Sequence, residues 1–252
     1  MLAALPAYAF VFVVVLARVG SATMLLAGFG EAEVPPTLRA GFALCLAALV
    51  LPVVGPGFAP LPPDFVGLAS VLVCEILTGL WMGWLVRVLM QIPAMAGQVM
   101  AAATGLSNVI QPDAETGPQS SALAHALGLA APVVVLASGL HALPLQALIG
   151  SYEVIAVGTV LPMVETASQA VEITGRGFAM ALQLGGPFVV AGLVWQVALG
   201  LLTRLVPQLQ IYFAAIPGQI AAGLLLFAAL GGSALAVWQD GMRDHLLRLP
   251  GL

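Results

Sequence analysis

The sequence predicts an all-α, polytopic integral membrane protein with about six hydrophobic helical segments, and three observations carry that prediction. First, the 252 residues are 61% hydrophobic and 7% charged, with seven Arg, no Lys and eleven Asp plus Glu. A water-exposed domain normally needs about a quarter of its residues charged. Second, the charge-free runs are long: 27 residues separate Arg176 from Arg204, 35 separate Arg204 from Asp240, and the 37 from Thr116 to Tyr152 carry only His125 and His141 as side chains of ambiguous charge. A spanning helix needs roughly 20 mostly apolar residues. Third, no polar or Ser-rich stretch is long enough to be a linker, so residues 1–252 read as a single membrane domain.

The hydropathy pattern places six spans at about 6 to 28, 38 to 55, 65 to 90, 121 to 149, 177 to 203 and 211 to 238. The first begins MLAALPAYAFVFVVVLARVG, without the positive region or small-residue cleavage site of a signal peptide, so a retained helix is expected. Gly28, Gly30, Glu31, Glu33, Pro35 and Pro36 end it, and the Pro/Gly-rich run from Pro52 to Pro63 ends the second. The interval from Ile92 to Ser120 starts apolar and becomes polar. The interval from Glu153 to Arg176, with Glu165 and Glu172, is the most polar and reads as a loop. Pro207 and Pro217 are expected to bracket the turn between the last two spans. Pro93, Pro132, Pro144 and Pro187 fall in or beside spans, where each lost backbone donor requires close protein or water neighbours. Gly79 with Gly83, and Gly218 with Ala222, are small-x-x-x-small steps that let helices approach.

Arg18, Glu75 and Arg87 lie inside apolar runs, where an unpartnered charge costs a few kcal/mol. Arg18 and Glu75 are the opposite-sign candidates from different spans, and pairing them would lock the first span to the third. A proton relay through Glu75 is the alternative, but the other acids lie mostly in expected loops. Placing Arg39, Arg87 and Arg204 in the cytoplasm puts the N-terminus outside, yet Arg243 and Arg248 then fall on the wrong side, a conflict suggesting that not every helix spans in the ordinary way.

Chemistry-bearing motifs are scarce. Cys45 and Cys74 read as buried small hydrophobes rather than a disulfide or metal pair. Three His without Cys-x-x-Cys or His-x-x-x-His spacing give a metal site no basis, and no cofactor is expected. Ser120, Ser121 and His125 are close in sequence but lack a nucleophile elbow and a third group to orient the His, so no enzyme is expected. Met82, Met90, Met95 and Met100 read as helix packing, with a flexible passage lining as the alternative. No phosphate loop or basic nucleic-acid patch is present.

The segment GLSNVIQPDAETGPQSS, residues 105 to 121, is an island of turn formers between apolar helices. It is either a plain interhelical loop reaching water or the lining of a protein-enclosed cavity. Together with ARVGSATMLLAGFGEAEVPPTLRAGFAL, EILTGLWMGWLVRVLMQIPAMAGQVMAAAT, GLHALPLQALIGSYEVI and RLVPQLQIYFAAIPGQI, it resembles the FliR family of flagellar export-gate proteins, known in virulence injectisomes as SctT. Each motif is soft. Their order and spacing over some 220 residues are specific. The chain departs from many relatives in lacking Lys and in its thinner basic loops.

The resemblance implies a function without catalysis, in the bacterial inner membrane at the flagellar basal body. FliR-like proteins form with FliP and FliQ the entrance portal for unfolded exported proteins, and the switch protein FlhB associates with it. The family's chain looks like a fusion of FliP and FliQ, with kinked and hairpin-like helices. Its central loop, which helps plug the closed channel, maps here onto Gly105, Leu106, Ser107, Asn108, Val109, Ile110, Gln111, Pro112, Asp113, Gly117, Gln119 and Ser120. Arg204, Pro207, Gln208 and Gln210 would form a hairpin tip at the cytoplasmic entrance. Arg18, Glu75, Gly79 and Gly83 are the candidates for helix packing and assembly. The rival readings are an injectisome subunit and a secondary transporter, the latter lacking a convincing internal repeat or polar binding cluster.

Overall fold

The computed structural model describes residues 5–31, 34–54, 64–106, 121–205 and 211–252, with backbone alone at 5–7 and 211–214. The regular elements among them are α-helices: α1 Leu5–Thr23, α2 Pro36–Val54, α3 Phe65–Thr104, α4 Ala122–Ala137, α5 Ala142–Val154, α6 Met163–Leu205 and α7 Ile211–Leu246. All seven follow apolar runs, and a helix satisfies its own backbone where no water can. Four helices (α2, α3, α6 and the Ala215–Leu246 part of α7) are long and apolar enough to cross a membrane. The α4–α5 pair, bent by 69°, is a fifth, broken span or a re-entrant loop, while α1 offers only the shorter apolar stretch Tyr8–Thr23.

The helix ends depart from the hydropathy pattern in instructive ways. The first expected span stops at Thr23, and the chain then turns through Gly28, whose φ of 80° suits glycine. The expected span from 121 to 149 is two helices, parted at Gly139 with φ 75°. The third runs on from 90 to Thr104, the fifth begins at Met163, and the sixth continues to Leu246. Glu165, Glu172 and Arg176 therefore lie on α6, not in a loop. Hydropathy takes polar residues as an end, but Glu, Gln and Arg are good helix formers and leave the backbone ladder intact. Pro217 likewise sits inside α7 rather than at a turn; Pro207 lies outside the described residues. Pro52, Pro93, Pro132 and Pro187 are also accommodated within helices.

At 1.5 Å per residue, the 40 residues of α3 and 43 of α6 measure about 60 and 65 Å, roughly twice the ~30 Å hydrocarbon core. Part of each stands outside the hydrocarbon, or the helix is steeply inclined.

The chain divides into two compact units. Unit 1 comprises Met1–Leu89, Val135–Ile173 and Arg243–Leu252, and unit 2 comprises Met90–Val134 and Thr174–Met242. In unit 1, α1 packs on α2, and Val14, Val15, Val19, Leu26, Met82 and Leu85 are buried. In unit 2 the buried set includes Ile92, Ala96, Met100, Leu127, Ala131 and Phe188. Met82, Met90 and Met100 are core residues, and Met95 is half-buried. The expectation of buried cysteines is corrected: Cys45 is exposed, Cys74 half-buried, and both are free. Cys45 stands two positions from both Ala43 and Ala47, on the side of α2 away from its buried face.

Across the four spanning candidates, only 11% to 22% of the most apolar window is buried inside the chain. Such faces are covered by lipid or by other chains.

Candidate functional site

In unit 1 the helix register begins with small residues. A side-chain carbon added at Gly79 of α3 would collide with the Ser21 hydroxyl and the Arg18 carbonyl of α1, and one added at Gly83 would lie 2.7 Å from the Ala22 carbonyl oxygen. Glu75, Gly79 and Gly83 recur every four residues, so they share one face of α3. That face seats α1 close enough for the Arg18 guanidinium to meet the Glu75 carboxylate: Nε donates to Oε2 at 2.7 Å and Nη2 to Oε1 at 2.9 Å. Both residues are wholly buried.

The remaining donors of Arg18 reach the C-terminal end of α5 and the residue just beyond it. Nη1 donates to Ser151 Oγ and to the Ile155 carbonyl at 3.2 Å each, and Nη2 also donates to Ile155 at 3.2 Å. Five bonds thus meet the five N–H groups of a guanidinium. The same group lies 4.1 Å from the centre of the Tyr152 ring. Glu75 Oε1 accepts the Gly158 N–H at 3.0 Å, and Gly158 has φ 75°, a conformation that favours glycine. Three chain segments are joined here by one matched charge pair. Such a cluster holds structure, since its polar atoms face each other and not a ligand.

A second pair lies nearer the surface. Arg87 Nη1 donates to Glu31 Oε2 at 2.7 Å, with the side chains 27% and 15% exposed. Beside Glu31, Phe29 stacks on Phe42 at 4.2 Å between ring centres and meets His141 edge-on. The sequence reading left Arg87 without a partner. The signal was present, since Arg87 is as stranded in its apolar run as Arg18, but Glu31 stood among loop formers.

Unit 2 is built on close approach. Added carbons at Gly97, Gly185 and Gly223 would lie 2.7 Å from Ala124 Cα, 2.6 Å from Val99 Cγ1 and 2.7 Å from Thr104 Cβ, and one at Gly192 would strike the Ala103 carbonyl. The tight steps on α7 are therefore Gly223 and Gly241, where an added carbon would strike the Met180 methyl. Gly218 is exposed, its added carbon 3.4 Å from the Trp195 ring, and Ala222 is exposed too.

Unit 2 also fixes both ends of the central segment. After α3, Gly105 turns with φ 75° against the Gln219 amide of α7, and Leu106 is buried. At the other end, buried Ser121 donates its N–H to Gln98 Oε1 at 3.0 Å, and its Oγ accepts the Ala124 N–H, capping α4. Ser107, Asn108, Val109, Ile110, Gln111, Pro112, Asp113, Gly117, Gln119 and Ser120 lie outside the described residues, as do Pro207, Gln208 and Gln210. Arg204 is exposed in the last turn of α6. Among the described residues, no group of three or more His, Cys, Asp or Glu is placed to hold a metal ion.

Long apolar helices, a bent apolar helix pair and charges matched inside the protein define a multi-pass helical membrane protein. A model of the family described as bacterial export proteins, family 1, matches residues 9–245. The flagellar biosynthetic protein FliR of Caulobacter vibrioides (strain ATCC 19089 / CIP 103742 / CB 15) is 33% identical over 238 residues, 94% of each chain. Its counterpart in Bacillus subtilis (strain 168) is 27% identical over 227 residues, 88% of this chain and 84% of the relative. That of Escherichia coli (strain K12) is 26% identical over 217 residues, 86% and 80%. The chain belongs to this family of bacterial export proteins, the FliR family.

Proposed function

We propose that the chain is a non-catalytic core subunit of the flagellar type III export gate, forming with FliP and FliQ a channel for unfolded flagellar proteins in the bacterial inner membrane, with FlhB alongside. The observation that carries this reading is the family match over residues 9–245. The three relatives are flagellar proteins, which favours the flagellum over an injectisome. The largely uncovered apolar windows support assembly with other chains. Purification in mild detergent tests it. A stable complex with FliP and FliQ is the expected result, and a well-folded lone chain that binds a small solute would overturn it.

Within that reading, Arg18, Glu75, Gly79 and Gly83 set the shape that partners meet, the stretch from Gly105 to Ser120 plugs the resting channel, and Arg204, Pro207, Gln208 and Gln210 border the cytoplasmic entrance. A pore wide enough for an unfolded chain leaks ions unless filled. The plug is supported by its two tethered ends, at Leu106 and Ser121, and by apolar Val109 and Ile110 between them. Shortening the segment is expected to raise ion conductance of the assembled complex while subunit association persists. Unchanged conductance would move the seal to the partner subunits.

A further inference from the structure

We propose that unit 1 carries a binding site for the headgroup of a phospholipid with a primary amine. The site is a cleft of about 260 Å³ at the connection between α5 and α6, lined by Trp81, Thr159, Leu161, Glu165, Gln169 and Pro250 among others. Its size is just below the range of sites for drug-sized molecules, which suits a headgroup.

Two groups define its chemistry, one buried without a partner and one open to water. Trp81 Nε1 is buried and has no hydrogen-bond acceptor among the described residues. A buried donor left this way is costly, and a ligand oxygen would satisfy it. Glu165, in the first turn of α6, is exposed and has no ion-pair partner among the described residues. Gln169, one helical turn further on, lies on the same side. The cleft therefore presents one anion and a neutral amide beside the Trp81 ring, whose N–H is closed to water here and reaches a ligand only when the ring turns. Among the described residues no Arg lines it, and Arg18 in the adjoining cluster is wholly buried with its donors engaged.

This arrangement selects among lipid chemistries. An anionic headgroup needs Lys or Arg, and Glu165 would repel it. A choline ammonium has no N–H to donate, and its usual receptor is a cage of several aromatic rings. A primary ammonium brings three donors, enough for the Glu165 carboxylate and the Gln169 carbonyl together. The phosphate or ester oxygens of the same molecule then accept from Trp81 once its ring turns toward the cleft. Around the cleft, Val154, Val160, Met163 and Val164 are 64%, 74%, 81% and 79% exposed, an apolar rim on which acyl chains can lie. Trp is also the residue that most favours the membrane–water boundary.

The test uses the full chain co-expressed in its export complex. The complex is reconstituted in nanodiscs of equimolar phosphatidylethanolamine and phosphatidylcholine, re-extracted in mild detergent, and its retained lipids are counted by native mass spectrometry. The ethanolamine lipid is expected to be retained about tenfold over the choline lipid, the worth of one charge-assisted hydrogen bond. Glu165→Gln should bring the ratio close to one, and Trp81→Phe should lower it. Should Trp81→Phe fail to assemble, the exposed Glu165 variant decides. Equal retention in the wild type, or a preference unmoved by Glu165→Gln, overturns the proposal. So does efficient cross-linking of Thr159→Cys to a partner subunit with no lipid retained, which would make the cleft a protein interface. Secretion of flagellar proteins is scored separately, so a missing lipid preference bears on the cleft and leaves the export role standing.

Discussion

The two units are held together by different physics. In unit 1 a small-residue face brings α1 onto α3, and a buried ion pair then fixes the register by direction as well as distance. In unit 2 the close approaches at Gly97, Gly185, Gly192 and Gly223 are contacts of shape with backbone and neighbouring carbons. Shape tolerates small adjustments, because a side chain such as Val99 can rotate aside and a helix can slide slightly where the neighbour is backbone, as at Ala124. A matched charge in an apolar surrounding does not, because losing one partner strands the other. Unit 1 should therefore fail abruptly and unit 2 by degrees.

The strongest test breaks the pair. Arg18→Leu or Glu75→Leu leaves one buried charge unmatched, an expected loss of roughly 3–5 kcal/mol, seen as collapse of the folded, assembled fraction in size-exclusion chromatography. The double variant should be milder than the worse single one, though not neutral, since Ser151, Ile155 and Gly158 lose their partners too. Additive losses would show that the two residues are not coupled. Next comes the shape of unit 2. Gly97→Ala forces a carbon against the α4 backbone and should cost about 1–3 kcal/mol in thermal denaturation of the complex. Gly200→Ala, with nothing within 4 Å of the added carbon, should be neutral or gain up to ~1 kcal/mol from helix propensity. Equal effects at the two sites would remove close packing as the principle of unit 2.

Smaller effects sharpen the contrast. Gln98→Leu removes the acceptor for Ser121, worth roughly 1 kcal/mol, and should lower hydrogen-exchange protection at the start of α4. Glu31→Gln weakens a pair with the same 2.7 Å separation as the buried one but partial exposure, so about 1 kcal/mol or less is expected, diminishing as salt rises. A large, salt-insensitive loss there would put that pair in the same class as Arg18 with Glu75.

The same physics decides which features were legible in the sequence. Charge-free runs announce helices because lipid leaves few alternatives. Arg18 and Glu75 pointed to one another because each was conspicuous in an apolar run. The rest of the cluster was invisible: the Ile155 carbonyl and Gly158 N–H are backbone groups with no signature, and Ser151 looks like any small helix residue. Helix ends were misread where good helix formers happened to be polar, as between Met163 and Arg176. The small-residue steps showed the opposite weakness: Gly79 and Gly83 meet a neighbouring backbone, whereas Gly218 meets only the Trp195 ring and Ala222 lines an open pocket, because spacing alone does not say which side of a helix is closely covered.

The buried pair also has a consequence in time. Arg18 and Glu75 are 57 residues apart, so at roughly 5–20 residues per second a ribosome takes about 3–11 s to deliver the carboxylate after the guanidinium. An arginine cannot shed its proton to become compatible with hydrocarbon in the interval. During those seconds α1 cannot settle into lipid alone without incurring the full cost of a stranded cation. Pairing with Glu75 once α3 emerges removes that cost, which favours entry of the two together over entry of α1 alone.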